Sequence, residues 1–577
     1  MKRLMILILF STLIFAASDG SFRFAVVGDR TGGCVAGIFP EIIDEVKLFD
    51  PDFVMCVGDL IHGYTSDTMS LHAQWDTLIG MVEQLACPFY YVAGNHDIYN
   101  ETDRAIYETR TGVKRYYSFD YTNSHFIILD NTMTYWSPPQ EMGEEQMQWL
   151  EKDLQKNKDA DNIFVFYHIP TYLYALEDDT TEPLMELFDK YGVRAVFTGH
   201  HHQYSYYNRN AVEYINVGSS GGSTGTLDFG RGHFYHYLFV TVKGGENSIA
   251  VVRKDNVFER NLLTASDLQV IARVDEEAVE IAPFAVGDGD RNLSYDVAAT
   301  IHNFGPDSIV QPVIWDYDAA RYTISPTNMP LNIASDATER YTFKVTVHDG
   351  SQVFPIPHFT FLYPFAYGKS CTAYTYLPIK RLKKVMRVKS APVIDGKLEA
   401  AWQKAIPIVH YGGYSWQPDP LDDQTEVYLC HDADNLYIAA RCFESDFSQL
   451  TAEATEHDGV TYLDDNLWFF FDTDMDQQTY YQAIINSNGV VFDRLCSLID
   501  GQSNRDLSWN GPWEVKAGRE ENAWILEIRI PKKELAPYSE EQWGFNFRRL
   551  QTKVNDAAYW SLPFFHDPTT FGLLAFQ

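Results

Sequence analysis

Cysteine is scarce in this chain, with seven in 577 residues: Cys34, Cys56, Cys87, Cys371, Cys430, Cys442 and Cys496. They form no CxxC pair and no dense framework, which argues against a thiolate zinc site and against a disulfide-stapled scaffold. Basic charge is also scarce. Lys and Arg number 45 against 79 Asp and Glu, a net charge of −34, and such a surface repels polyanions, so bulk nucleic acid is disfavoured as a partner. Beyond the first eighteen residues no stretch is apolar enough to predict a transmembrane helix. Disorder is not expected either, because aromatics make up 15% of the chain and charged residues only 21%.

The start of the chain reads Met1-Lys2-Arg3, an apolar stretch from Leu4 to Phe15, then Ala16-Ala17-Ser18. A basic start, a short apolar core and small residues at its end predict a signal peptide over 1–18 and a secreted or periplasmic mature protein. At roughly 150 residues per domain, the remainder suggests three or four units.

Five segments of the first half carry the chemistry: Gly28-Asp29, Gly58-Asp59-Leu60-Ile61-His62, Gly94-Asn95-His96-Asp97, Tyr167-His168 and Gly199-His200-His201-His202. Each follows an apolar, β-branched or aromatic run such as Phe24-Ala25-Val26-Val27 or Ile163-Phe164-Val165-Phe166. Continuous apolar runs read as strands buried on both faces, and ligands of open α/β sheets collect beyond the strands' carboxyl ends. Carboxylate, amide oxygen and imidazole together suit hard or borderline metals and not soft ones.

At these residues the chain resembles the calcineurin-like metallophosphoesterases, whose blocks run in this order. The resemblance implies an α/β two-sheet sandwich and two metal ions, Fe, Mn or Zn. One would take Asp29, Asp59 and His202; the other would take Asp59, Asn95, His168 and His200. A pair of such ions activates water and neutralises phosphoryl oxygens during in-line displacement. His96 is then the candidate acid for the leaving alkoxide, with Asp97 available to orient it.

The first block departs from the family: Thr31 stands where a ligand His is expected. Purple acid phosphatases, which share the fold, also lack that His and carry a Tyr ligand three residues after the bridging Asp. Here that position is His62, a candidate compensating ligand or else a loop residue that supports the ligands or faces the substrate. Arg30 is a candidate partner for a substrate phosphate oxygen through its fork of donors, or an ordinary structural arginine. Backbone donors of Gly218-Ser219-Ser220-Gly221-Gly222-Ser223 could approach substrate, unless the segment is a flexible loop.

Strict alternation replaces the helical pattern after residue 265. Leu293, Tyr295, Val297, Ala299 and Ile301 form one row, and Tyr341, Phe343, Val345 and Val347 another, which predicts a small immunoglobulin-like β-sandwich spacer over 266–379. From about residue 380 the chain resembles the family 9 carbohydrate-binding modules, β-sandwiches found on secreted polysaccharide-acting enzymes. The resemblance rests on Val393-Ile394-Asp395-Gly396, Asn435-Leu436-Tyr437-Ile438, Asp464-Asp465-Asn466-Leu467-Trp468 and Trp524-Ile525-Leu526-Glu527. Sugar binding uses aromatic faces, and Trp416, Trp509 and Trp513, in polar loops, are the candidates; Trp402, Trp468, Trp524 and Trp543 read as core. Asp472, Asp474 and Asp476 are candidate oxygen donors to calcium.

The expectation is therefore a multidomain, metal-dependent phosphoric ester hydrolase: signal peptide 1–18, phosphoesterase domain 19–265, spacer 266–379 and carbohydrate-binding-like module 380–577. Its partners would be a phosphate mono- or diester and a carbohydrate or polysaccharide. The alternative is a catalytically inactive glycan-binding surface protein that keeps the phosphoesterase fold.

Overall fold

The computed structural model describes residues 20–577 except 66, 133–141, 255, 401, 410, 414–420, 422, 500–501, 555 and 562–565. The expected signal peptide and Trp416 lie outside the described residues. By contacts the chain forms two compact units. The first runs to Glu276 and includes 305–307 and 362–372, and the second holds the rest.

The first unit is an α/β sandwich of two six-stranded sheets. In one sheet the strands Phe22–Val27, Phe53–Cys56 and Phe89–Tyr90 run parallel. Tyr237–Lys243 joins its edge antiparallel. In the other sheet Ser124–Ile128, Asn162–Phe166, Ala195–Thr198 and Val212–Asn216 run parallel, and Tyr117–Tyr121 pairs antiparallel with Ser124–Ile128 as a hairpin. All five positions of Asn162–Phe166 are buried, as expected where both faces of a sheet are covered. The sheets meet through phenylalanine: the Phe24 ring lies 5.5 Å from Phe126 and 5.6 Å from Phe164, edge to face in both cases. Helix Ile38–Phe49 buries Phe39, Ile42, Ile43 and Val46, and helix Glu144–Asn157 buries Leu150 and Leu154. Both buried faces recur at the three- to four-residue spacing of an amphipathic helix.

The second unit is β-rich. Arg291–Asn303 pairs along its length with Ala337–Asp349, and Val297, Ala299 and Ile301 alternate into the core, whereas Leu293 at the end of the predicted row is exposed. Trp315, from a neighbouring sheet, packs 5.1 Å from Phe343 and 5.0 Å from Phe359. The contacts do not isolate the segment 266–379 as a spacer. The strand Phe284–Gly287 pairs with Ile379–Arg387, which also pairs with Gly572–Phe576 near the chain's end, so main-chain hydrogen bonding joins that segment to the last module. Trp402, Trp524 and Trp543 are core residues, as expected. Among the described residues no helix is long and apolar enough to cross a membrane, and all seven cysteines are free thiols.

Candidate metal centre

The carboxyl ends of both sheets supply the donors. Asp29 follows Phe22–Val27 and Asp59 follows Phe53–Cys56; His168 follows Asn162–Phe166, and His200 and His202 follow Ala195–Thr198. Close approach of these turns explains two glycines. A Cβ on Gly94 would lie 2.2 Å from Asp59 Oδ1, and one on Gly58, whose φ is +101°, would lie 2.7 Å from His168 Nδ1. Asp59, His200 and His202 themselves take φ values of 54°, 73° and 50°. Non-glycine residues rarely enter this left-handed region, and where they do the surrounding structure must impose it.

Two donor groups result. Asp59, His168 and His200 bring ligand atoms within 4.8 Å of one another, and Asp29, Asp59 and His202 do the same. Asp59 belongs to both groups. Asn95 joins the first: its Oδ1 is 2.9 Å from His168 Nε2 and 2.8 Å from His200 Nδ1. Backbone carbonyls set the imidazoles. His168 Nδ1 lies 2.8 Å from Val57 O and His202 Nδ1 lies 2.5 Å from Ser223 O. Each carbonyl can only accept, so Nδ1 carries the proton and the Nε2 lone pair is left for a cation. Asp29 and Asp59 are buried, and the charged partners facing them are histidines. Two buried carboxylates with convergent neutral donors fit a pair of divalent or trivalent cations.

The electrostatics of the protein alone match that donor set. Burial pushes the Asp29 carboxyl up to about 6. Burial would raise Asp59 too, but His168, itself raised to about 9 against burial by Asp59 and Asp29, prevails as an imidazolium and holds it low, at about 2; a cation on Nε2 would take that proton's place. For His200, burial and the neighbouring His168 lower the pKa to about 3, which keeps the ring neutral.

His96 stands beside this centre with Nε2 4.0 Å from Asp59 Oδ2. Its orienting partner is not Asp97. The Asp97 carboxylate accepts the backbone N–H groups of Leu60 and Ile61 on Oδ1 and of Gly94 on Oδ2, tying the two turns that bear Asp59 and Asn95. His96 is held instead through Nδ1, 2.7 Å from the His62 carbonyl. The His62 ring is in neither donor group; its Nδ1 lies 3.0 Å from Thr31 Oγ1. Arg30 is buried and donates from Nη1 to Leu60 O at 2.6 Å, so the structure uses it to hold the Asp59 loop and does not present it to solvent. The glycine- and serine-rich segment is likewise structural. Ser220 and Gly222 donate their N–H groups to Asp29 O at 2.9 and 3.1 Å, which fixes the turn carrying that carboxylate. The sequence reading passed over Tyr64, whose hydroxyl is 2.6 Å from Asn95 Nδ2. The available signal was an aromatic residue just beyond Gly58-Asp59, next to Gly63.

In the second unit Trp509 and Trp513 are half-buried and pack against the core. Their rings stand edge to face with centroids 6.1 Å apart, and Trp513 Nε1 donates to the buried Asp493. Asp472, Asp474 and Asp476 do group, but Asp476 accepts the N–H groups of Gln478 and Thr479, both at 2.7 Å, and Asp472 that of Gln477 at 3.2 Å. These turn hydrogen bonds account for part of the cluster and leave Asp472 Oδ1 buried without one.

The two-sheet α/β sandwich thus carries two largely buried donor sets that share Asp59 and could hold a pair of cations. Residues 22–204 match the calcineurin-like phosphoesterase family model, and residues 394–576 match the carbohydrate family 9 binding domain-like model. Human serine/threonine-protein phosphatase CPPED1 is 30% identical over 171 residues, 26% of this chain and 54% of that protein. The probable purple acid phosphatase 20 of Arabidopsis thaliana is 27% identical over 236 residues, 35% of this chain and 52% of that protein. The chain thus spans about half the length of these curated relatives. A solved family 9 carbohydrate-binding module from Caldicellulosiruptor kristjanssonii, in complex with cellotriose, is 16% identical with a TM-score of 0.26. That match covers 34% of this chain and 94% of the module.

Proposed function

We propose that this protein hydrolyses phosphate mono- or diesters at the centre built on Asp59, and that its last module holds it near a carbohydrate. The observation that carries this reading is the sharing of Asp59 between two donor groups. Asp29, Asp59 and His202 would hold one cation, and Asp59, Asn95, His168 and His200 the other. Bound there, the cations supply a nucleophile at neutral pH and neutralise charge on the ester. Asp29 and Asp59 keep the pair together, and the carbonyls of Val57 and Ser223 keep the imidazoles facing it. His96 delivers a proton to the leaving alkoxide oxygen. The signal-like start supports export, and the match over 394–576 supports a sugar ligand.

The test is metal analysis of the purified full chain together with a phosphoester panel. Close to two equivalents of transition metal and chelator-sensitive hydrolysis of a nitrophenyl phosphate mono- or diester are expected. A metal-free, inert protein that still binds polysaccharide would establish the alternative instead, a glycan-binding protein on a retired enzyme fold.

A further inference from the structure

Asn95 can face the cation pair in two ways, because its amide carries an acceptor at one end and a two-proton donor at the other. Only the orientation with Oδ1 inward makes it a ligand; turned over, it would direct N–H groups at the cations. His168 Nδ1 donates to the Val57 carbonyl, so in the neutral ring that a metal ligand requires Nε2 can only accept, and the histidines do not by themselves turn Oδ1 inward. With Oδ1 inward, the donor end of the amide points outward and meets an acceptor there. Tyr64 places its hydroxyl 2.6 Å from Asn95 Nδ2, while Oδ1 lies within 2.9 Å of both imidazoles.

The loop is built to hold the phenol there. Gly63 and Tyr64 are consecutive residues in the left-handed region, with φ of 59° and 46°. A Cβ on Gly63 would strike the His96 carbonyl at 1.7 Å, so the loop lies directly against the turn bearing Asn95 and His96. Gly63 N–H is anchored to Gln74 Oε1 at 3.0 Å, on the helix Thr68–Val82. The Tyr64 ring also stands edge-on to the His96 imidazole, centroids 4.5 Å apart. A bulky residue adopts this backbone conformation only where its surroundings impose it.

We infer that Tyr64 is a positioning residue of the metal centre: by accepting from Asn95 Nδ2 it fixes the amide with Oδ1 turned inward as a ligand. This rests on the proposed dinuclear centre. Partners of this kind, which touch a ligand and not the metal, typically govern metal affinity by ten- to a hundredfold.

The experiment titrates the chelator-stripped full-length protein with Mn²⁺ by calorimetry, using wild type, Tyr64→Phe, Asn95→Asp and the double variant. Tyr64→Phe keeps the ring and removes only the hydroxyl, and it should weaken one of the two binding steps about tenfold or more while leaving the thermal midpoint unchanged. A carboxylate has no wrong end. In the Asn95→Asp background, therefore, the hydroxyl can only donate to the outer oxygen and no longer selects an orientation, and Tyr64→Phe should cost much less than in the Asn95 background, a coupling that a general structural role would not produce. Unchanged Mn²⁺ binding in Tyr64→Phe, equal weakening of both steps, or the same penalty in both backgrounds would overturn the inference. Wild-type protein that binds no Mn²⁺ at all would instead defeat the dinuclear reading on which it rests.

Discussion

Two acidic clusters in this molecule look alike in sequence and differ in what surrounds their oxygens. Asp472, Asp474 and Asp476 sit in one turn, where the neighbouring N–H groups of Gln477, Gln478 and Thr479 bond Asp472 and Asp476 and leave Asp472 Oδ1 buried without a hydrogen bond. Asp29 and Asp59 come from different strands of a buried sheet, and imidazoles from the facing sheet surround them. The aspartate turn is held in part by its own backbone. Two carboxylates brought together by tertiary structure carry mutual repulsion and desolvation that only added positive charge can offset.

Removing the shared carboxylate should break this difference most visibly. Asp59→Asn takes away the one group common to both donor sets, so metal retained after dialysis should fall sharply and hydrolysis should drop to background, as read by elemental analysis and turnover of a nitrophenyl ester. Full metal content in the variant would mean that Asp59 does not join the two sites. His96→Ala acts on the other side of the chemistry. It should leave metal content intact and lower kcat by about 10² to 10⁴, with a much smaller loss for nitrophenolate than for alkyl leaving groups. Equal losses for both ester classes would exclude His96 as the acid.

The donors were legible in the sequence because a strand's end fixes where the next residue or two must lie: Asp29, Asp59, His168 and His200 need no long-range information beyond the order of strands. What could not be read was which of several nearby groups meets another across the fold. Asp97 is adjacent to His96 in sequence, yet its carboxylate turns to three backbone amides while a carbonyl thirty-four residues away holds the imidazole. Arg30 and the 218–223 segment were left open for the same reason, and the structure spends polar atoms of both on fixing the turns: Arg30 takes its structural alternative, and the segment is neither a substrate cradle nor free of the turn. Alternation marked the strand Arg291–Asn303 but not where its burial ends, so Leu293 reads as core and is exposed.

The aspartate turn offers a sharper form of the comparison. Asp472 is buried, and that burial raises its carboxyl from 3.8 to about 6. A folded-state value above the unfolded one means that the native protein binds the extra proton, so stability is lost as pH rises from about 4 to about 6. Above that window the folded state carries a penalty of about 3 kcal/mol. Asp472→Asn should therefore raise stability at pH 7 in chelator-treated protein and leave it nearly unchanged at pH 4, by urea unfolding. A loss of stability at pH 7 that appears only with added calcium would show that the turn binds the ion after all.

The smallest effect contrasts two histidines of one sheet. His168, at a strand's carboxyl end, has one nitrogen on a carbonyl and the other directed at the donor cluster. His125, near an amino end, is equally buried but has Nδ1 2.6 Å from Asp120 and Nε2 2.8 Å from Asp153. Burial disfavours the charged ring, but the hydrogen bonds to Asp153 and Asp120 outweigh it, and the His125 pKa is raised above 6.5. Protonated His125 thus stabilises the fold. That contribution is fully present below about 6.5, the unfolded value, and is lost as pH rises through the higher folded value. His125→Gln should cost about 1 to 2 kcal/mol at pH 6, and the gap from wild type should narrow as pH rises past that folded value. Thermal unfolding across pH 5.5 to 9 reads this directly. A gap that stays constant over the whole range would mean that His125 contributes by packing and neutral hydrogen bonding and not by its charge.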